Sequence, residues 1–228
     1  MEEGYHPPVE EYLETVHALA EEGTPVIGAR IAERLGRSAP AVSEMLERLE
    51  DSGYVTRDGR VVELTASGSA LAQQVVRRHR LAERLLVDVI GLEWHKVHRE
   101  AGRWEHVISD DVEEKLVALL GDPGTCPHGN PIPGSATPPD VTPQRPLSEV
   151  EPGATVRLAR ISEEVELDMV SLVYLDEHHF TPGTSATVSR RSPDGTVTLC
   201  LLADPPDGVS GSVSLAPALS RRLFVAAV

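Results

Sequence analysis

The chain has 228 residues, two cysteines and a formal charge of −15, from 21 Lys and Arg against 36 Asp and Glu. Its length suits one or two domains with smaller modules, and two cysteines, Cys126 and Cys200, cannot build a disulfide framework, so a reducing cytoplasm is the expected location. The acidic, polar start MEEGYHPPVEEY and the lack of any long apolar run argue against a signal peptide or a membrane span. The negative balance also argues against indiscriminate nucleic-acid binding, but its distribution is uneven. Between Arg30 and Arg80 nine Arg face seven Asp and Glu, so this segment alone is slightly positive.

In chain order, VEEYLETVHALAEE places Val9, Leu13, Val16 and Leu19 at helical spacing over 9–22. VIGARIAERLG (26–36) predicts a short helix stopped by Gly36. Ser38 then caps a second helix with Pro40 in its first turn, and Val42, Met45, Leu46 and Leu49 face inward. Two short helices about a tight turn predict a helix-turn-helix. YVTRDGRVVELT adds two strands about Asp58–Gly59, which predicts a winged helix. Ser38, Pro40, Ala41, Ser43 and Glu44 begin the expected recognition helix, where Glu44 suits a cytosine amine. Arg30, Arg34 and Arg37 near the turn, and Arg57 and Arg60 on the wing, suit phosphates.

A long helix is expected from Thr65 to about Ile90, another from about Glu93 to Val107, and a third over 110–121. Their apolar residues exceed the needs of one small bundle, which suggests dimerisation. The proline-rich stretch Pro131–Pro146 reads as a semi-rigid linker. Beyond it, TVRLARI, TSATVSR, TVTLCLL, GSVSL and LFVAAV, separated by PG, PDG and DG turns, predict a small β-barrel. The expected architecture is mainly α with small β parts. Its domains are a winged helix (1–73), a helical metal-binding and dimerisation domain (74–140) and a C-terminal β domain (147–228).

The densest chemistry lies on the middle helices. His79 and Glu83, four apart, share one helix face, as do His98 and Glu105, seven apart, with His106 following. Imidazoles mixed with carboxylates suit a borderline divalent metal. A metal between helices that follow a DNA-binding motif would make this chain a metal sensor.

The stretches ARIAERLGRSAPAVSEMLERLE, RRHRLAERLL, REAGRWEHVISDDVE and CPHGNPIPG resemble the iron- and manganese-dependent repressors of the diphtheria toxin repressor type. The resemblance is dense over about 9–134; over 147–228 it extends to that family's SH3-like C-terminal domain. It implies a metal-activated homodimer on a palindromic operator, repressing metal-uptake genes. Residue by residue it implies an ancillary site of His79, Glu83 and His98, completed from the C-terminal domain by Asp168, with Arg80 and Asn130 near an associated anion. Cys126 and His128 match a second-site pair, and Glu105 and His106 match the primary activating site. The iron branch adds a Met and a Cys there; here those positions hold Glu11 and Gly102, and Glu14 is available to rebuild the site. A sulfur-free primary site leans towards Mn2+ over Fe2+, with two or more sites per subunit.

Two other readings compete. A winged-helix regulator of an organic ligand would be indifferent to chelators, and a metallohydrolase would activate water at a metal. The chain has no HExxH motif and no α/β core for the latter, so no enzymatic activity is expected.

Overall fold

The computed structural model describes residues 7–138, 142–203 and 210–228. The expected domains begin and pass through residues 1–6 and 139–141, which lie outside that range.

The N-terminal unit opens with α1 (Pro7–Glu21), α2 (Gly28–Leu35) and α3 (Ala39–Asp51). Gly36 ends α2 in the left-handed region at φ 60°, which a side chain would resist. Ser38 caps α3 by accepting from the Ala41 amide, with Pro40 in the first turn. Strands β1 (Val55–Asp58) and β2 (Val61–Leu64) pair antiparallel from Val55 with Leu64 to Asp58 with Val61. This is the expected winged helix. Leu13, Val16, Ile31, Val42, Leu46 and Val62 form its core.

Helix α4 (Ala66–Arg84) starts at the Thr65 cap, packs on α1 and carries the chain out of the wing. Its continuation, Leu85–Ile90, widens into a π-helical turn that Gly91 ends. The single helix expected over 93–107 is instead a 3-10 turn (Trp94–Lys96), a short α5 (Val97–Ala101) and further turns. Helix α6 (Asp110–Leu120) follows, capped by Ser109 and stopped by Gly121. Leu81, Leu86, Val97, Ile108 and Leu116 form a second core. Ile132 joins it, so the start of the proline-rich stretch is packed rather than a bare linker.

That stretch ends in β3 (Gln144–Pro146), a ladder strand that the proline content concealed. Then come β4 (Thr155–Ile161), α7 (Glu163–Glu166), α8 (Met169–Glu177), β5 (Ser185–Arg191), β6 (Val197–Leu201), β7 (Ser212–Leu215), α9 (Pro217–Ser220) and β8 (Leu223–Ala227). All pairs are antiparallel in the order β3-β8-β4-β5-β6-β7. The five Val- and Leu-rich runs are strands, as expected, but the sheet is open: β3 and β7 are its edges among the described residues. The inserted α7 and α8 were not expected. Leu172, Leu175 and Phe180 of this insertion pack in the domain core with Leu158 and Val188 of the sheet.

Candidate metal centre

Helix α4 packs on α1, α5 and α6, and its second half brings the metal candidates together. His79 and Glu83 lie one turn apart on its buried face, Glu83 with no exposure at all. His98 on α5 turns Nδ1 to within 3.0 Å of His79 Nε2 and 3.2 Å of Glu83 Oε1. From the C-terminal domain, Glu166 reaches 2.9 Å from His98 Nδ1 and 3.4 Å from His128 Nδ1. His79, Glu83, His98 and Glu166 each place a ligand atom within 4.8 Å of the others.

Two further constellations share members with this one. Glu83, Cys126 and His128 converge within the same limit, all buried. On the other side of His79, Nδ1 makes a close contact with Glu105, and Glu14 of α1 joins them. His79 therefore stands between two groups, one imidazole nitrogen directed to each.

Electrostatics bind the cluster together. Burial would favour neutral His79, but the charges of Glu83 and Glu105 outweigh it and hold its pKa well above the usual range. Burial opposes the charge on His98 as well, yet hydrogen bonds with Glu166 and Glu83 raise its pKa to about 9. Glu83 is buried among His128 and His79, whose charges overcome desolvation and hold its pKa well below the usual range. Glu166 sits at about 2 for the same reason, with His128 the main partner against burial. Glu14 shifts the other way: burial and the charge of Glu105 push it well up.

The donor set fits a divalent metal. Among the described residues Glu83 Oε2 and His128 Nε2 are buried without a hydrogen-bond partner, and such groups ordinarily find one. Imidazole, carboxylate and one thiol are the donors that manganese, iron and zinc accept.

Family models match nearly the whole chain. Residues 6–60 match the iron dependent repressor, N-terminal DNA binding domain, and 65–134 match the iron dependent repressor, metal binding and dimerisation domain. Residues 145–225 match the FeoA domain. The iron-dependent repressor IdeR of Mycobacterium leprae is 44% identical over 202 residues, 84% of this chain and 87% of the relative. The chain belongs to the iron-dependent repressor family. Within that family, the diphtheria toxin repressor of Corynebacterium diphtheriae is 53% identical over 126 residues, 55% of this chain and 56% of its own. A manganese-dependent transcriptional repressor solved in complex with manganese matches with a TM-score of 0.85 at 32% identity, covering 96% of this chain and all of that one. These relatives are metal-dependent, DNA-binding repressors rather than enzymes.

The structure redistributes some of the expected repressor residues. Asp168 is exposed, and its carboxylate caps α8, accepting from the Val170 amide at 3.1 Å and from Ser171 Oγ at 2.6 Å. The C-terminal carboxylate in the cluster is Glu166, two residues earlier. An all-β reading of that domain left no turn of helix to aim it. Glu105 meets Glu14 and His79, whereas His106 turns Nδ1 to Glu10 at 2.5 Å and Nε2 to Glu105 at 3.2 Å. Glu11 lines a cavity of about 160 Å³ beside Glu14, His79, Gly102 and Glu105. Arg80 is turned to protein acceptors, donating to Glu21 at 2.7 Å and to the Pro131 carbonyl at 2.5 Å. Asn130 likewise donates to the Ile161 carbonyl at 3.0 Å and to Glu166 at 2.5 Å.

On the winged helix, Ser38, Pro40, Ala41, Ser43 and Glu44 are all exposed at the start of α3, and Arg37 beside them is exposed too. Arg30 and Arg57 are exposed but pair with Glu33 and Glu50, each at 2.7 Å; such surface pairs are weak enough to yield to a phosphate. Arg60 is exposed on the wing. Arg34 departs from expectation: it is largely buried against Glu22 at 2.7 Å and faces the C-terminal domain, not a DNA surface.

Proposed function

We propose that this repressor is activated by Mn2+ or Fe2+, binds a palindromic operator as a homodimer in the cytoplasm and represses metal-uptake genes. The observation that carries the reading is one buried set of imidazoles and carboxylates drawn from α4, α5 and α7, linked through His79 to Glu14 on α1. Residues His79, Glu83, His98 and Glu166 would hold one ion, extended by Cys126 and His128. Glu14, His79 and Glu105 would hold another, with Glu11 and His106 nearby. The second set is free of sulfur, which favours Mn2+, and the related protein solved with manganese supports that preference.

The chain's own residues account for the coupling. Helix α1 carries Glu14 and packs on both α2 and α4. With a cation held there, Glu14 would be kept beside His79 and Glu105, and α1, with the α2–α3 pair against it, would be fixed on the metal-binding helices. Metal and operator then reinforce each other by linkage. Val89, Ile90, Val107, Val112 and Leu119 are exposed apolar residues in the region matched as a dimerisation domain, an obvious surface for a second copy.

The test is operator binding by purified, metal-stripped protein titrated with Mn2+, Fe2+ and Zn2+ in turn. The reading requires that metal raise operator affinity and that a chelator reverse it. Operator affinity unchanged by chelators favours a regulator of an organic ligand instead.

A further inference from the structure

Trp94 opens the 3-10 turn that leads into α5 and His98, and three parts of the molecule meet on it. Its indole N–H donates to the Pro127 carbonyl at 3.0 Å. Its ring lies against the His128 imidazole, 4.8 Å between centroids and tilted by 60°, inside the range of a favourable aromatic pair. The side chain also packs on the core of the C-terminal domain. The next residue, His95, turns Nδ1 to Asp176 of α8 at 2.6 Å.

The loop that carries His128 is fixed through its backbone. The Cys126 amide donates to the Asn130 carbonyl at 2.8 Å, the Gly129 amide to the Cys126 carbonyl at 2.9 Å, and the Ile161 amide to the His128 carbonyl at 3.0 Å. Rotation about the His128 side-chain bonds is the freedom that remains. Its Nδ1 stands between two carboxylates, Glu83 at 3.1 Å and Glu166 at 3.4 Å, and distances so alike do not by themselves hold the ring to one of them. The indole supplies the missing restraint. It walls the imidazole, and its own N–H is bonded to the residue just before His128, so wall and ring form one unit.

We propose that Trp94 is a positioning residue for the metal centre: it holds the His128 imidazole in place beside Glu83 and Cys126, so that the three serve as one ligand set. This rests on the metal-dependent reading above and deepens it. Trp94 offers no ligand atom of its own; it acts through His128, as groups that orient a ligand do. Its reach is selective. Among the described residues no hydrogen bond or ring contact joins Trp94 to Glu14, His79 or Glu105, so the sulfur-free set is independent of it. The C-terminal core, packed on the indole, backs the wall.

The test uses full-length, metal-stripped protein carrying Cys200→Ser, which leaves Cys126 as the one thiol, titrated with Co2+ without oxygen. Thiolate-to-cobalt charge-transfer absorption then reports the Cys126 set alone, while d–d bands report every bound ion. Trp94→Leu removes ring and anchor and should weaken the charge-transfer class about 10- to 100-fold, the range for groups that orient a ligand. Trp94→Phe keeps a ring but loses the N–H, and should weaken it about 2- to 12-fold, the worth of one hydrogen bond. Ions bound without charge transfer should keep their affinity in both variants. Circular dichroism verifies each fold, and if Trp94→Leu does not fold, Trp94→Phe decides alone. Unchanged charge-transfer titrations in the folded variants overturn the inference. Equal weakening of both classes also overturns it, and would leave Trp94 a packing residue only. Cobalt bound with no charge-transfer band before Trp94 is changed takes Cys126 out of the set, which overturns the inference and spares the metal-dependent reading. Protein that binds none of Co2+, Mn2+, Fe2+ or Zn2+ overturns both.

Discussion

Gly129→Ala is the most informative single substitution for how the C-terminal domain meets the metal centre. Gly129 has φ +87°, and a Cβ built on it falls 2.0 Å from the Ala159 carbonyl oxygen. An ordinary carbon–oxygen contact is about 3.3 Å, so the loop and β4 must separate by about 1.3 Å. Three hydrogen bonds of 3.0 Å or shorter span that gap: Ile161 amide to the His128 carbonyl at 3.0 Å, and Asn130 Nδ2 to the Ile161 carbonyl at 3.0 Å and to Glu166 at 2.5 Å. None survives such an opening, and Glu166 leaves the cluster with them. At about 1 kcal/mol per bond plus about 1–2 kcal/mol for the left-handed backbone, the cost is roughly 4–5 kcal/mol. For a chain of this size that lowers Tm by about 8–20 °C. Gly134→Ala is the control. Its φ is also positive, at +70°, but its nearest neighbour is only Arg77 Nη1 at 3.6 Å, so it should show the backbone strain alone and bind Mn2+ normally. The measurements are thermal melts and Mn2+ calorimetry on both variants. Gly129→Ala protein that melts with the control and binds Mn2+ as wild type does would refute the reasoning.

Further outcomes follow from the same geometry. His98, with its pKa near 9, must lose its proton to bind a metal, so Mn2+ affinity should rise about tenfold per pH unit between pH 7 and 8; calorimetry in buffers of different ionisation enthalpy should count at least one proton released, and none released contradicts the assignment. Without metal the sign reverses: protonated His98 stabilises the fold fully below about 6.5 and that contribution fades as pH rises through 9, so apo-protein melts should fall across this interval while metal-loaded melts hold. Glu21 is held at about 2, because the nearby His17 ring, the hydrogen bonds from Arg80 and the Arg80 charge together outweigh burial. Its contribution is present above the usual carboxylate range and lost as pH falls towards 2, so Glu21→Gln should flatten the acid limb of stability, and an unchanged limb counts against the Arg80–Glu21 link. Substituting Ser43 or Glu44 should change which operators are preferred, whereas Arg57→Ala or Arg60→Ala should weaken all sequences and lower the salt slope by about one per contact; uniform loss from both classes would displace α3 from the groove.

The sequence made the winged helix legible because each boundary carries a local signal. Gly36 stops α2, Ser38 caps α3, and Asp58–Gly59 turns the wing. His79, Glu83 and His98 were readable for the same reason, since helical spacing alone puts the first two on one face. Glu166 was not. Its position depends on a four-residue helix between β4 and β5, too short to leave a periodic pattern, and on docking between domains far apart in the chain. Asp168 was the wrong member of that acidic run because its carboxylate turns back to cap α8. The open sheet and the edge strand Gln144–Pro146 were hidden similarly. A run dense in proline reads as linker until a partner strand, here β8, accepts it. Arg34 shows the limit for charges: position near the motif suggested a phosphate contact, and only tertiary packing reveals Glu22 and Glu163 as its partners.

The central claim is that metal and operator bind to one coupled state, and linkage makes it measurable from either side. Mn2+ affinity should be determined calorimetrically for the free protein and again with saturating operator DNA. The account predicts that operator tightens Mn2+ binding by at least about fivefold, the lower end for coupled sites, and by the same factor as Mn2+ tightens operator binding. Identical Mn2+ affinities with and without operator would contradict it.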